Sequence, residues 1–203
     1  HVILGASPES LLNIQGNRVT TNPIAGTRKR GHSDEHDAAL QTELQTDPKE
    51  LAEHRMLVDL GRNDLGRISE IGSLHLTKYM EIEKYQHVMH LVSEVSGTLK
   101  SNLHPFDALI TCLPAGTVSG APKVRAMQLI QEFETVKRGV YGGAVGYFGF
   151  NGNLDIALAI RTIVVKNQTA YVQAGAGVVY DSDPLAEYEE IMYKAKSLLE
   201  VLS

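Results

Sequence analysis

Cysteine is nearly absent from this sequence of 203 residues, and Cys112 is the only one. A single cysteine excludes a disulfide bond within the chain. Scarcity of cysteine is also typical of proteins from a reducing compartment. We therefore expect a cytoplasmic location.

Excess positive charge and long apolar runs are also absent. The formal net charge is −5 at pH 7, so the sequence lacks the basic surface that typically binds nucleic acid. No apolar run approaches the roughly 18 residues of a membrane span, and no signal peptide is visible. We expect neither a nucleic-acid partner nor a membrane partner. An anionic substrate would need particular Arg or Lys side chains, or a metal ion.

The sequence begins without an initiator methionine or a polar lead-in. Residues 1–6 (HVILGA) have the composition of a strand interior, so we expect a piece of a longer protein. Hydrophobic residues make up 43% of the chain and charged residues 21%, which is typical of a globular protein. The length suits one large domain, and we assign residues 1–203 to a single domain.

Strand patterns and helix patterns are grouped along the chain rather than alternating, which predicts an α+β fold. Apolar stripes at helical spacing lie on the last two predicted helices, and the stripe of the final helix is expected to face inward. The strand patterns cover residues 1–30, 71–79, 82–99, 140–150, 155–166 and 170–180. The helix patterns cover residues 35–45, 48–60, 106–113, 122–134 and 184–202. The stripes comprise Val124, Met127, Ile130 and Phe133, then Tyr188, Met192, Ala195, Leu199 and Leu202.

Two pairs of glutamates, Glu50/Glu53 and Glu187/Glu190, each follow an Asp-Pro dipeptide. The dipeptide predicts a helix with Asp as its N-cap and Pro as its first residue. A spacing of three puts both carboxylates of a pair on one helix face, where they repel unless neutralised. Mg²⁺ prefers oxygen ligands and would neutralise them. A solvated charged face is the alternative, because Lys194 follows Glu190 by four residues and predicts a helix salt bridge.

A glycine-rich segment at 116–123 (GTVSGAPK) leads into a predicted helix. A helix N-terminus is a good place to bind an anion, and a tight turn before the helix is the alternative. The segment matches neither a phosphate-binding P-loop nor the nucleophile elbow of hydrolases.

Six further glycines lie in strand-like runs, where glycine often marks close approach by a ligand or another backbone. They do not match a dinucleotide-binding fingerprint. Arg161 lies within another apolar strand pattern, and its burial would be costly without a partner. We expect that partner to be a carboxylate, either from the protein or from a ligand. The six glycines are Gly142, Gly143, Gly146, Gly149, Gly175 and Gly177.

Two histidine pairs have spacings that could suggest zinc, but neither predicts a zinc site. His32 and His36 lie in a polar segment without cysteines or further ligands. His87 and His90 lie in an apparent strand, with one imidazole expected on each face.

Several of these segments together resemble the chorismate-utilising enzymes, over nearly the whole chain from Ser7-Pro-Glu9 to the last helix. The resemblance is specific because long motifs occur in the same order as in the family. The motifs are NPIAGTR at 22–28, KELAEH at 49–54, DLGRNDL at 59–65, HLVS at 90–93, PAGTVSGAPK at 114–123, YGGAVGY at 141–147, AIRT at 159–162 and GAGV at 175–178.

The resemblance implies antiparallel sheets packed as a sandwich with helices outside, of which this chain would be the carboxyl-terminal half. It also implies conversion of chorismate and ammonia to anthranilate and pyruvate, the reaction that begins tryptophan biosynthesis. Family members that form aminodeoxychorismate commonly carry a nucleophilic lysine where this chain has Ala25, so the anthranilate reaction is favoured. Isochorismate- and salicylate-forming members also tolerate alanine there and remain alternatives.

Site residues carried over from the family form three groups. A Mg²⁺ ion would be held by Glu50, Glu53, Glu187 and Glu190, with Glu53 and Glu190 binding directly and the other two through water. His90 would be the general acid or base, since an imidazole exchanges protons near neutral pH; Thr117 would line the site and Lys194 would pair with the carboxylates. Substrate binding would involve Thr27, Tyr141, Arg161, Gly175 and Gly177.

Ammonia would come from a glutamine amidotransferase partner, called component II in this family. One departure from the family pattern is Tyr193, which stands where asparagine is usual. A non-catalytic fragment that binds chorismate or docks a partner is the hypothesis from another functional class.

Overall fold

The computed structural model describes residues 1–202 and has the predicted α+β composition. The chain forms two compact units. Unit 1 consists of residues 1–11, 113–147 and 156–202, and unit 2 consists of residues 12–112 and 148–155.

Ten strands and six helices make up the described chain. The strands are β1 (Val2–Gly5), β2 (Ser10–Gln15), β3 (Arg18–Thr21), β4 (Ile24–Lys29), β5 (His75–Lys84), β6 (Val88–Thr98), β7 (Ala144–Phe148), β8 (Leu154–Leu158), β9 (Thr162–Lys166) and β10 (Thr169–Val172). The helices are α1 (Asp34–Thr46), α2 (Pro48–Ile68), α3 (Pro105–Cys112), α4 (Gly116–Ser119), α5 (Lys123–Phe133) and α6 (Pro184–Leu199). Among residues 1–202, no helix is both long enough and apolar enough to cross a lipid bilayer.

Aspartate side chains begin the two glutamate-bearing helices as predicted. Asp47 accepts hydrogen bonds from the backbone N–H groups of Lys49 (3.0 Å) and Glu50 (3.2 Å). Asp183 accepts one from Ala186 (2.8 Å). Each bond satisfies an amide that has no partner within the helix, and a proline follows each cap where its missing N–H costs nothing. The start of each helix is therefore set by local sequence.

Strand β6 is the centre of the sheet in unit 2. It pairs antiparallel with β4 over residues 88–92 and with β3 over residues 95–98. Strand β5 pairs with residues 89–96, so β4 and β3 share the opposite edge of β6. The register between β4 and β6 shifts between Ala25 and Thr27, at Gly26. Gly26 has φ +70°, a conformation that favours glycine.

The core of unit 2 lies between this sheet and helices α1 to α3. Helix α2 contacts β3, β4, β6 and α3, and its inward face buries Leu57, Val58, Leu65 and Ile68. Beneath α1, Leu44, Met89 and Leu91 are fully buried. Leu40 and Leu51 pack against these three side chains.

Unit 1 contains a smaller sheet, in which β9 pairs antiparallel with β1 on one side and β10 on the other. The apolar stripes expected on its helices are not buried, which corrects the prediction of an inward stripe on the final helix. In α5, Val124 is 70% exposed and Phe133 is 71% exposed. In α6, Tyr188 is 58% exposed and Met192 is 46% exposed, and the helix packs against β10. Periodicity predicts an apolar face but does not reveal what covers it.

Several predicted boundaries are wrong. Helix α2 continues to Ile68 rather than ending near residue 60, because its second half buries Leu65 and Ile68 despite two glycines. The segment 155–166 is two strands, β8 and β9, and Arg161 lies between them with φ +48°. His87 lies in the turn before β6 rather than in the strand. Among the six glycines predicted in strands, only Gly146 lies in one.

We expect that replacing Leu65 by alanine lowers the free energy of unfolding by about 2–5 kcal/mol, because it leaves a cavity in a fully buried position. The matched control is Leu76→Ala on β5, where the side chain is 40% exposed, and we expect a loss of about 0.5 kcal/mol or less. Urea denaturation of the full-length protein carrying each change measures both values. Equal losses at the two positions would contradict this description of the core.

Candidate active site

His90 lies on β6 opposite Thr27 of β4. Its Nδ1 is 3.0 Å from the Thr27 hydroxyl and 3.2 Å from the Gly26 carbonyl oxygen. A carbonyl can only accept a hydrogen bond, so Nδ1 carries the hydrogen. In the neutral ring Nε2 then has a free lone pair, and the imidazole is oriented as a base. The glycine at the register shift thus determines which ring nitrogen can take a proton.

The pair Glu50 and Glu53 lies on α2 in the same unit, and both residues are partly buried. Glu50 belongs to the first turn and Glu53 to the next, so the predicted common face is confirmed. The carboxylate of Glu50 accepts a hydrogen bond from Arg28 of β4 (3.3 Å).

His54, next to Glu53, is fully buried and was not singled out by the sequence. Its Nε2 is 2.7 Å from the Ser93 hydroxyl, and that hydroxyl accepts the backbone N–H of Met80 (2.9 Å). Burial lowers the pKa of His54 to about 4. A neutral imidazole therefore ties α2 to the two longest strands of unit 2.

Tyr141 and Gly175 approach closely in unit 1. A β-carbon at Gly175 would lie 2.7 Å from the Tyr141 hydroxyl oxygen, so this contact needs glycine. The guanidinium of Arg138 lies 5.5 Å from the centroid of the Tyr141 ring and donates to the carbonyl of Val118 and the carboxylate of Glu134. Burial raises the pKa of Tyr141, so its hydroxyl remains a hydrogen-bond donor.

Arg161 is partly buried in the break between β8 and β9. Its positive charge favours the ionised form of Tyr141, which shows that the two side chains are within electrostatic range. No ion pair to Arg161 is formed by a side chain among residues 1–202, so the carboxylate expected as its partner does not come from the part of the protein described here. The guanidinium can bind a ligand carboxylate through two parallel hydrogen bonds.

Glu9, between β1 and β2, is the acidic residue that the sequence reasoning missed. Burial raises its pKa, while the nearby hydroxyl of Thr117 and the charge of Lys194 act in the opposite direction. A carboxyl group with a raised pKa can donate a proton at a pH where an exposed glutamate cannot. Its position within the Ser7-Pro-Glu9 motif was the only available signal.

The remaining predicted residues of unit 1 lie in α4, in α6 and in the segment after β10. Thr117 lies in the helical turn α4, and its buried hydroxyl has no hydrogen bond of good geometry, although Glu9 is in range. Lys194 pairs with Glu190 (2.5 Å) and donates to the carbonyl oxygen of Gly175 (3.2 Å). The predicted helix salt bridge is therefore present. Gly177 is exposed in the segment after β10.

Carboxylate oxygens from Glu50, Glu53, Glu187 and Glu190 are suited to a hard cation such as Mg²⁺. Glu187 is only 7% exposed in the first turn of α6, and a buried carboxylate requires compensating charge. Within residues 1–202, however, no three His, Cys, Asp or Glu side chains lie close enough together to form a metal centre. The chemistry of the donors thus fits Mg²⁺, and their convergence stays a prediction.

Comparison with known proteins identifies clear relatives. The sequence profile described as chorismate binding enzyme matches residues 1–200. Anthranilate synthase component 1 of Lactococcus lactis subsp. lactis is 59% identical over 199 residues, which are 98% of this chain and 44% of that protein. The protein of the same name from Acetivibrio thermocellus is 58% identical over 98% of this chain and 40% of its own length.

Solved structures also share the fold. Anthranilate synthase component I from Streptococcus pneumoniae superposes with a TM-score of 0.88 at 60% identity, over 96% of this chain and 43% of that one. The menaquinone-specific isochorismate synthase of Escherichia coli gives a TM-score of 0.86 at 27% identity, over 99% of this chain and 46% of that one. The chain therefore spans less than half the length of each of these four relatives.

We expect that Gly175→Ala lowers the free energy of unfolding by about 1–3 kcal/mol, because the new methyl group meets the Tyr141 hydroxyl. In the presence of Tyr141→Phe the same change should cost less, since the clashing oxygen is gone. Urea denaturation of the two single variants and the double variant measures this coupling. Gly66→Ala in α2 is the control, because a β-carbon there makes an ordinary 3.5 Å contact with the Leu74 side chain, and alanine should stabilise the helix by up to about 1 kcal/mol. Additive losses for Gly175→Ala and Tyr141→Phe would contradict the clash.

Proposed function

The chain belongs to the chorismate binding enzyme family, and we propose that the protein containing it makes anthranilate. Chorismate and ammonia would be converted to anthranilate, pyruvate and water, in the cytoplasm. The relatives named anthranilate synthase, at 52–59% identity, support this choice. Ala25 supports it against a reaction that uses a lysine nucleophile at that position.

The observation that carries the proposal is the orientation of His90. With Nδ1 bonded to the Gly26 carbonyl, Nε2 is the nitrogen available to take a proton. In the reaction, ammonia adds at C2 of chorismate as the C4 hydroxyl leaves. His90 would then remove the proton from C2 while the C3–O bond breaks and the enolpyruvyl group leaves as pyruvate. Aromatisation of the ring makes this last step favourable.

Departure of the C4 hydroxyl as water requires a proton, and Glu9 is the group best suited to provide it. Its raised pKa keeps the carboxyl protonated at a higher pH than an exposed glutamate. The nearby hydroxyl of Thr117 and the ammonium of Lys194 would stabilise the carboxylate that remains after transfer. Thr27, on the strand opposite His90, would hold the ring hydroxyl.

The carboxylate of the enolpyruvyl group would be bound in unit 1. Arg161 has no protein ion pair among the described residues and offers a fork of donors. The Tyr141 hydroxyl and the backbone N–H of Gly177 would add hydrogen bonds. Gly175 would leave room for this contact, because any side chain there would meet Tyr141.

The four glutamates would hold Mg²⁺, with Glu53 and Glu190 as direct ligands and Glu50 and Glu187 acting through water. When bound, the ion would neutralise the ring carboxylate of chorismate and favour attack at C2. Lys194 lies against Glu190 and would limit the negative charge left on this group of carboxylates.

A glutamine amidotransferase subunit, component II, would supply the ammonia. The structural likeness to an isochorismate synthase favours one alternative, in which water adds at C2 in place of ammonia. Chromatography of the products formed from chorismate, Mg²⁺ and ammonium salt separates anthranilate, aminodeoxychorismate and isochorismate. No product from a folded full-length protein would instead favour a non-catalytic chorismate-binding role.

We expect that His90→Ala in the full-length protein abolishes anthranilate formation while chorismate binding stays measurable. The reason is that the variant retains the carboxylate-binding groups but loses the base. Anthranilate fluorescence measures turnover, and calorimetry measures chorismate binding. The control is His87→Ala in the exposed turn before β6, which should keep normal turnover. Near-normal turnover in His90→Ala would exclude the assigned role.

We expect that Glu9→Gln lowers kcat about 10²–10⁴-fold, the usual contribution of a general acid. The raised pKa also predicts how the stability of the protein changes with pH. Because the pKa of Glu9 is higher in the folded than in the unfolded protein, Glu9 contributes stability at any pH below its unfolded-state pKa. This contribution is lost as the pH rises through its folded-state pKa. Glutamine removes the buried charge, so at pH 8 the variant should unfold at a higher urea concentration than the wild type. Lower stability combined with full activity would refute both expectations.

A further inference from the structure

Arg28 of β4 is the residue on which the acidic groups at the start of α2 converge. Its Nε donates to Glu43 (2.8 Å), its Nη2 to Asp47 (2.9 Å) and its Nη1 to Glu50 (3.3 Å). Nη1 also donates to the carbonyl oxygen of Thr27 (3.0 Å). Four of the five N–H bonds of the guanidinium are therefore engaged. The Arg28 side chain is only 20% exposed and that of Glu50 is 21% exposed, so the contact between these two is largely shielded from solvent.

The second oxygen of Glu50 lies close to Gly26, in space that a side chain at Gly26 would restrict. A β-carbon at Gly26 would lie 3.1 Å from Oε2 of Glu50 and 2.9 Å from Cδ1 of Leu44. Oε1 of Glu50 is bound by Arg28. Arg28 therefore orients the carboxylate through Oε1, and the absence of a side chain at Gly26 leaves room for Oε2.

Three consecutive residues of β4 therefore act on two different site groups. Gly26 and Thr27 contact Nδ1 of His90, and Arg28 contacts Glu50. The cap residue Asp47 strengthens this arrangement, because it binds the first amides of α2 and Arg28 at once. A displacement of the start of α2 relative to β4 would break the contacts of Arg28 with both Asp47 and Glu50.

We propose that Arg28 is a positioning residue that fixes the Glu50 carboxylate for metal binding. The inference rests on the proposed function, in which Glu50 is one of the carboxylates that hold Mg²⁺. Partners that orient a metal-binding carboxylate typically contribute about 10–100-fold to metal affinity. A guanidinium suits the role because its planar fork binds several carboxylates in fixed directions, which an ammonium cannot do.

The charge of Arg28 and its geometry predict opposite results when the residue is removed. Loss of a cation beside Glu50 makes the site more negative, and charge alone would therefore tighten binding of a divalent cation. Loss of the contacts that orient Glu50 weakens binding. The sign of the change thus separates positioning from simple electrostatics.

The test measures Mn²⁺ binding to the full-length protein by electron paramagnetic resonance, without chorismate. We expect Arg28→Met to weaken the affinity about 10-fold, and Arg28→Lys to weaken it as well, since lysine keeps the charge but not the fork. The control is Arg30→Met, at the residue directly after β4. Arg30 binds Asp37 through two 2.9 Å hydrogen bonds and does not contact Glu50, so its loss should leave Mn²⁺ affinity unchanged.

Urea denaturation of each variant accompanies the binding measurement, and if Arg28→Met does not fold, Arg28→Lys decides the outcome. Unchanged or tighter Mn²⁺ binding in the folded Arg28 variant, with normal binding by the wild type, overturns the positioning role and leaves the proposed function intact. A wild-type protein that binds no Mn²⁺ overturns the proposed metal site together with this inference. An equal loss of Mn²⁺ affinity in Arg30→Met would mean that Arg28 has only a general structural role, and this result overturns the proposed positioning role.

Discussion

Compensation of negative charge is the constraint on which the candidate site depends. A partly buried carboxylate is costly unless a cation or hydrogen bonds accompany it, and this chain has a net charge of −5. Each unit meets the constraint with its own cation. In unit 2, Arg28 holds Glu50 together with the cap of α2. In unit 1, Lys194 lies against Glu190 and also acts on Glu9. These cations offset part of the negative charge of the carboxylates.

Local chemistry made some features predictable. An Asp-Pro dipeptide specifies a helix start because the Asp side chain accepts a hydrogen bond from a free backbone amide, and because proline lacks an N–H group where the helix needs none. Both glutamate-bearing helices begin where it predicts. The common face of Glu50 and Glu53 follows directly from helical spacing. The end of α2 was not predictable, because glycines suggest termination while burial of Leu65 and Ile68 decides the matter. The break at Arg161 was missed for a related reason: a positive φ in a non-glycine residue leaves no pattern in the sequence.

Groups whose role comes from tertiary burial were the hardest to predict. Glu9 acquires its raised pKa from burial in the folded chain, and the two groups that oppose this shift, Thr117 and Lys194, lie more than a hundred positions away, where no local pattern connects them to it. Arg28 was visible only as the end of a motif, since its partners belong to α1 and to the start of α2. The exposed apolar stripes on α5 and α6 show the converse case, in which the pattern was predicted but its burial was not. Periodicity correctly identified an apolar face but contained no information about its partner.

The raised pKa of Glu9 implies that this residue lowers the stability of the fold at high pH, at the position where the proposed reaction needs an acid. In the unfolded chain this carboxyl ionises at its ordinary pKa, whereas the folded protein retains the proton to higher pH. Between those two values the folded state binds more protons, so stability falls as the pH rises. Thr117 and Lys194 limit this loss by favouring the ionised form, yet burial outweighs them. Stronger compensation would lower the pKa and stabilise the protein, but it would also remove the proton that the leaving hydroxyl would require in the proposed reaction. The balance between burial and the two neighbouring groups sets the direction of the Glu9 pKa shift, on which both this contribution to stability and the proposed proton donation depend.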